Sequence, residues 1–270
     1  MKDTWQHGWI KFPFDSQLDA WVTSAKLSAQ AVIADVEMQK QWLQCEGTWF
    51  VGVDALPNDL SGRIGGSDPL AGRAVDFIMQ NFGILPALHP AQMSVIYPGY
   101  PKPRAKETPA AFRFRQTRDA AHIDGILPQG PDRRRNLMEP HAFVLGIPLN
   151  KTVLGASPLV VWPDSPAIVR RHLAAAFASI PVEQWPDVDV TELYAAARRE
   201  VFANCERLEL SAQPGEAYLL HRLALHGVAP WTASHSHGRK GGEAQKDRES
   251  RMVAYFRPPW LAGMQEFLNH

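Results

Sequence analysis

The sequence predicts a mainly β domain of sandwich or jelly-roll type, with helices at its N-terminal end and one helical insertion. Three observations carry this. From about Ala91 onward, short apolar runs are separated by Pro, Gly and Asn at intervals of roughly ten residues, the rhythm of antiparallel strands rather than of alternating strand and helix units. Helical periodicity is confined to the first third and to a stretch at about 166–205. The chain of 270 residues is 45% apolar, enough for a large core, and sandwiches of this length are commonly one unit. We therefore expect a single domain over 1–270, with an α-rich extension at about 1–88, a β core at about 89–260 and the helical insertion at about 166–205.

Taken in order, Asp15 to Leu43 has apolar residues at helical spacing, with Asp15 or Ser16 placed to cap the start, and reads as one long helix or two broken near the middle. Gly47 to Asp54 is a short β-rich run, and Ala71 to Phe82 is helical. Gln92 to Tyr97 reads as a strand closed by Pro98-Gly-Tyr-Pro101. Phe112 to Thr117 alternates aromatic with polar residues and reads as a second strand. His141 to Leu149 and Pro158 to Trp162 are apolar runs ended by Asn150 and Pro163. Ala167 to Ala178 and Val190 to Asn204 step by three and four, as helices do. Strands resume at Arg207 to Leu210, Ala217 to Leu225 and Ser250 to Arg257. Between the last two, Thr232 to Ser250 is polar, lacks an apolar period and reads as an inserted loop.

Charge and cysteine usage exclude several functions. The 28 basic and 28 acidic residues cancel, leaving no global field for nucleic acid or an acidic membrane surface. No stretch of ~18 apolar residues suggests a membrane span, and Met1 to Phe14 lacks the apolar run of a signal peptide, so a cytoplasmic protein is expected. Cys45 and Cys205 have no CxxC partner and read as free thiols in a reducing compartment.

The chemistry concentrates in three places. His122-Ile-Asp124 is the only His-x-Asp in the chain; on an extended backbone positions 122 and 124 share a side, so an imidazole and a carboxylate reach one metal together. Chance alone supplies about 0.6 such triplets at this composition, so the motif needs a partner. A second signal stands about a hundred residues on, where an apolar stretch from Ala217 ends at His226-Gly227. His226 suits a distal ligand better than His221, because it stands at the expected strand end beside a small residue, whereas His221 reads as lying inside the strand. Two histidines and one carboxylate on one face of a metal leave three positions open, as in non-haem Fe(II) oxygenases and unlike closed structural zinc. The third signal is Ser250-Arg-Met-Val-Ala-Tyr-Phe-Arg-Pro258. Positions 251, 253, 255 and 257 share a face, and a guanidinium inside an apolar barrel needs an anion. Arg257, beside Pro258, reads more as a solvated rim charge than Arg251 does.

The ordered set His122-x-Asp124, His226-Gly227 and Arg251 with Met-Val-Ala-Tyr-Phe-Arg-Pro resembles the phytanoyl-CoA dioxygenase-like family of Fe(II)- and 2-oxoglutarate-dependent oxygenases. Ile147-Pro-Leu-Asn150 and Gly155 to Ser165 resemble that family's stretch between the two metal-binding segments, and the likeness covers roughly Gln92 to Pro258. Two features depart from it. His226 and Arg251 are 25 positions apart where family members commonly have fewer, and Val228-Ala229 stands where a hydroxyl often follows the distal histidine.

The resemblance implies a double-stranded β-helix (jelly roll, cupin-like) core. It implies Fe(II) held by His122, Asp124 and His226, with Arg251 binding the far carboxylate of 2-oxoglutarate. It further implies dioxygen as co-reactant and a small organic molecule hydroxylated with release of succinate and carbon dioxide. Asp124 argues against the halogenating variants, which vacate that position. No nucleic-acid or membrane partner is expected, and a homo-oligomer is left open. The 232–250 loop is a candidate lid, and His235 and His237 within it form a His-x-His pair that reads as solvated. Arg113, Arg115 and Arg118, and Arg133 to Arg135, are candidate contacts for an acidic substrate or else charges on a solvent face. Trp162, Trp231 and Trp260 are pocket candidates. The alternatives are a cupin-like metalloenzyme that does not use 2-oxoglutarate and a non-catalytic jelly-roll binding module.

Overall fold

The computed structural model describes residues 2–234 and 250–268. The His235 and His237 pair, and most of the proposed lid, lie outside them.

Two aspartates shape the N-terminal helices. The Asp15 carboxylate accepts from the backbone N–H of Gln17 and Leu18 and opens α2 (Ser16–Ala34), which follows a short α1 (Lys2–Gln6). Asp35 ends α2 in an extended conformation, and its side chain accepts from Glu37 and Met38 to start α3 (Val36–Trp42). The break therefore falls at a second cap near the end of the periodic stretch. Leu18, Trp21, Val22, Ala25 and Ala29 form the buried stripe of α2.

A seven-stranded antiparallel sheet forms the frame. Its order is β1 (Trp9–Phe12), β10 (Ala217–His221), β7 (Phe143–Pro148), β12 (Arg251–Phe256), β4 (Ala91–Ile96), β3 (Trp49–Leu56) and β2 (Leu43–Gln44). Facing it is a three-stranded sheet of β11 (His226–Val228), β8 (Leu159–Val161) and β9 (Leu208–Leu210). A hairpin of β5 (Ile126–Gln129) and β6 (Arg134–Leu137) stands beside them. The edge strand β1 and the hairpin have no sequence forecast; each strand is only four residues long, too short for a period of two to stand out.

Three of the four apolar clusters among the described residues follow from this layering. Leu18, Trp21 and Val22 of α2 and Phe77 and Ile78 of α4 (Arg73–Phe82) pack with Phe143, Leu145, Leu219, Ala254 and Phe256 on the outer face of the large sheet. Between the sheets, Val144, Tyr218, Leu220, Val253 and Tyr255 meet Leu159, Val161 and Leu210. Val169, Leu173, Tyr194 and Val201 of α6 (Ser165–Phe177) and α7 (Thr191–Asn204) pack with Val160, Trp162 and Leu225. Because both faces of the large sheet are covered, every residue of β12 is buried. Alternation there does not separate apolar from polar. It separates Met252, Ala254 and Phe256, facing the helices, from Val253 and Tyr255, facing the other sheet.

Two expectations are corrected. Phe112 to Thr117 is not a strand but the end of α5 (Pro109–Thr117). The Thr108 hydroxyl accepts from the N–H of Ala111 and Pro109 occupies the first turn, so a cap and a pre-set φ outweigh six residues of alternation. The stretch Ala217 to Leu225 is not one strand either. It stops at His221, where the N–H groups of Ala224 and Leu223 bond to the backbone carbonyl and Nδ1 of that histidine, and the chain crosses to the second sheet to begin β11 at His226.

Candidate metal centre

Two segments from opposite ends of the core are stitched together by their backbones. His122 and His226 exchange both main-chain hydrogen bonds, at 2.8 and 3.0 Å, as an isolated antiparallel bridge. Asp119 anchors the first segment: its carboxylate takes two bonds from Arg207, at 2.7 and 2.8 Å, and its carbonyl accepts from the N–H of Val228. Ile123 turns into the helical core while its N–H donates to the Tyr194 hydroxyl, so residues 122 and 124 share the opposite side.

Glycine is required at two crossings. A Cβ on Gly227 would lie 2.1 Å from the Asp119 carbonyl oxygen, and one on Gly125, whose φ is +82°, would lie 1.9 Å from the Glu139 carbonyl oxygen. Both obstacles are backbone. Gly227→Ala is therefore expected to cost about 2–3 kcal/mol and to pry His226 from His122. Chemical denaturation measures this; a loss below about 0.5 kcal/mol refutes it.

The side chains converge. His122 Nε2 lies 3.3 Å from Asp124 Oδ1, His226 Nε2 lies 3.7 Å from Asp124 Oδ2, and one donor atom from each of the three residues falls within 4.8 Å of the others. Donors around one ion bound at about 2.0–2.2 Å stand about 3 Å apart on a shared face, so the set suits a single metal. Each imidazole has Nδ1 3.0 Å from the carbonyl two residues earlier, Ala120 for His122 and Ala224 for His226. A proton on Nδ1 donates to that carbonyl and leaves the Nε2 lone pair facing Asp124. Burial, followed by the neighbouring His122, pushes His226 down to about 4, so it stays neutral near pH 7. Burial also pushes the Asp124 carboxyl up, but His122, His226 and Arg257 outweigh it and hold the group well below the usual carboxylate range. The side chains of His226 and Asp124 are 8% and 11% exposed and that of His122 is 48% exposed, so the centre opens on the His122 side.

The remaining candidates separate clearly. Arg251 is buried; its Nη2 donates to Tyr218 Oη at 2.8 Å and to Tyr255 Oη at 3.2 Å, and its Nη1 has no partner. Burial raises the Tyr218 phenol well above 10, so it is neutral and does not consume the charge of Arg251. Arg257 is not the solvated rim charge expected beside Pro258. Its side chain is 16% exposed and its Nη1 lies 3.7 Å from Asp124 Oδ1. Arg257 directly follows β12 and continues the inward phase of Val253 and Tyr255, so it points toward the centre rather than into water. His221 is turned away toward Trp5.

Four of the other candidate arginines are committed elsewhere, and Arg113 and Arg133 are exposed. Arg115 pairs with Glu107, Arg118 lies over the Phe202 ring, Arg134 pairs with Asp189 and Arg135 donates to the Ile126 carbonyl. The three tryptophans lie in different surroundings: Trp162 packs on Phe202, Trp231 sits against the cluster of Tyr100 and Ile96, and Trp260 carries Arg222. His141 was not singled out in the sequence. It stands opposite Pro259 in a bridge beside Arg257, and nothing in the run that it opens distinguishes it from a strand-end histidine.

No protein-family model and no curated protein matches this sequence. Among solved structures, the chain is similar to the non-heme alpha ketoglutarate dependent carbocyclase SnoK from nogalamycin biosynthesis, with 12% identity, 97% of this chain and 88% of that one covered, and a TM-score of 0.52. AviO1 from Streptomyces viridochromogenes Tue57 is also similar, at 13% identity, 97% and 94% coverage and a TM-score of 0.48. The first likeness shows the fold: a jelly-roll core with flanking helices. No helix among the described residues is long and apolar enough to cross a membrane.

Proposed function

We propose that this protein is an Fe(II)- and 2-oxoglutarate-dependent oxygenase that hydroxylates a small organic molecule. The observation carrying this reading is the convergence of His122, Asp124 and His226 in an open, one-sided set, inside a barrel that also buries a tyrosine-held guanidinium. The fold shared with an alpha ketoglutarate dependent carbocyclase supports it. The donor chemistry fits the group: two neutral imidazole nitrogens and one carboxylate suit Fe(II), and the open positions suit a chelating cosubstrate and dioxygen.

In this reading His122, Asp124 and His226 hold the iron, and Arg251 binds the far carboxylate of 2-oxoglutarate. The group supplies the oxidation itself: one oxygen atom of dioxygen enters a substrate C–H bond and the other the cosubstrate, which leaves as succinate and carbon dioxide. The chain supplies orientation. Ala120 and Ala224 set the two imidazoles through their carbonyls, and Asp119 with Arg207 holds the segment that carries His122. Tyr218 and Tyr255 aim the Arg251 fork, whose free Nη1 is suited to an anion in a water-poor interior. Free thiols at Cys45 and Cys205 accord with a reducing cytoplasmic setting.

Anaerobic addition of Fe(II) and 2-oxoglutarate tests this directly. A visible metal-to-ligand charge-transfer band is expected, followed on aeration by succinate release. Folded protein that gives no band overturns the proposal and favours the binding-module alternative, whereas iron binding without any effect of 2-oxoglutarate favours the cupin-like one.

A further inference from the structure

Beside the candidate centre stand two buried nitrogens with nothing to bond. Arg257 Nε and His141 Nε2 are both shielded from solvent and without hydrogen-bond partners. Asp124 Oδ1, 3.7 Å from Arg257 Nη1, is a charge neighbour beyond hydrogen-bond length, and the Glu139 carboxylate, 3.5 Å from His141 Nε2, makes no hydrogen bond to it. The two groups are close because Ala142 N–H donates to the Pro258 carbonyl and Trp260 N–H to the Pro140 carbonyl, clamping 140–142 against 258–260. Arg257 N–H is itself bonded to His89 Nε2, which fixes where the guanidinium starts. A buried donor left unmade forfeits its hydrogen bond to water, at a higher cost when it is charged, so this pair is destabilising unless a ligand completes it.

Charge points the same way. With a divalent ion, the Asp124 carboxylate, and a doubly negative 2-oxoglutarate met by Arg251, the guanidinium of Arg257 leaves one positive charge unmatched. Glu139 is half exposed and shares its charge with water. We propose that Arg257 and His141 anchor a carboxylate of the primary substrate beside the metal, so that the enzyme selects substrates that are anionic at neutral pH. This rests on the iron and 2-oxoglutarate reading and deepens it. It also moves the acidic-substrate role from the arginines near residues 113–118 and 133–135 to a residue taken for a rim charge.

The test uses the whole protein loaded anaerobically with Fe(II) and 2-oxoglutarate, with the charge-transfer band as readout and no turnover. The probes are matched carboxylates and primary amides: benzoate with benzamide, hexanoate with hexanamide, and phenylacetate with phenylacetamide. At least one acid is expected to perturb the band with a Kd tenfold or more below that of its amide. Arg257→Gln is expected to keep the band and its 2-oxoglutarate affinity while reducing that preference to about twofold; Arg257→Lys retains part of it, and His141→Gln lowers it. The proposal is overturned if no acid perturbs the wild-type band, if the preference survives in folded Arg257→Gln, or if Arg257→Gln loses 2-oxoglutarate instead. A wild-type protein that forms no band refutes the iron reading, and this one with it.

Discussion

In Asp124→Asn the affinity for Mn(II), a redox-silent stand-in for Fe(II), is expected to fall by more than about a hundredfold, and succinate release to disappear. Asp124 is the anionic member of the donor set, and both imidazoles face it at 3.3 and 3.7 Å. Asparagine keeps the shape but removes the charge that offsets both the metal and Arg257, which lies 3.7 Å from the same carboxylate. A dication would then enter beside an uncompensated guanidinium, and the amide oxygen is a weaker donor for it. Isothermal titration with Mn(II), alongside a thermal melt to establish that the variant is folded, decides the matter. An unchanged Mn(II) affinity in folded protein removes the centre from these residues.

Arg251→Met is expected to weaken 2-oxoglutarate binding by about a hundredfold while leaving Mn(II) binding within twofold. A charge-assisted fork to a carboxylate in a water-poor interior is worth roughly the 3 kcal/mol that a hundredfold represents. The substitution is also readable for stability. Tyr218 and Tyr255 hydroxyls already lie 3.3 Å apart and retain each other as partners once the arginine is gone. Removing a buried charge whose Nη1 has no partner is then expected to leave the cosubstrate-free protein as stable as the wild type or more so. Titrating 2-oxoglutarate into the Mn(II) form, with melts of both apoproteins, separates this from a merely structural role. Equal cosubstrate affinity in the two proteins assigns the carboxylate to another residue.

The convergence of His122, Asp124 and His226 was legible because each of the three leaves a local trace. His122 and Asp124 are two apart on an extended segment, Gly125 and Gly227 stand where a side chain would strike backbone, and His226 opens a short strand. The misreadings have a common origin. Phe112 to Thr117 looked like a strand because its alternation was judged without Thr108 and Pro109 upstream. Ala217 to Leu225 looked like one strand because an apolar turn buried between two sheets has the same composition as the strand it follows.

Residue types and their spacing by themselves determined the β-dominated class, the helical insertion and the three groups that meet at the centre, since these depend on period, caps and residue chemistry acting over a few positions. Only the tertiary structure decided that β12 is covered on both faces, and with it that Arg257 faces Asp124 instead of water. It likewise decided that His141 lies beside Arg257, and that Arg115, Arg118, Arg134 and Arg135 are paired, stacked or hydrogen-bonded. The reason is that a side chain's surroundings are set by segments a hundred residues away, and one strand's alternation cannot say which of its two faces meets a helix and which meets the cluster of His122, Asp124 and His226.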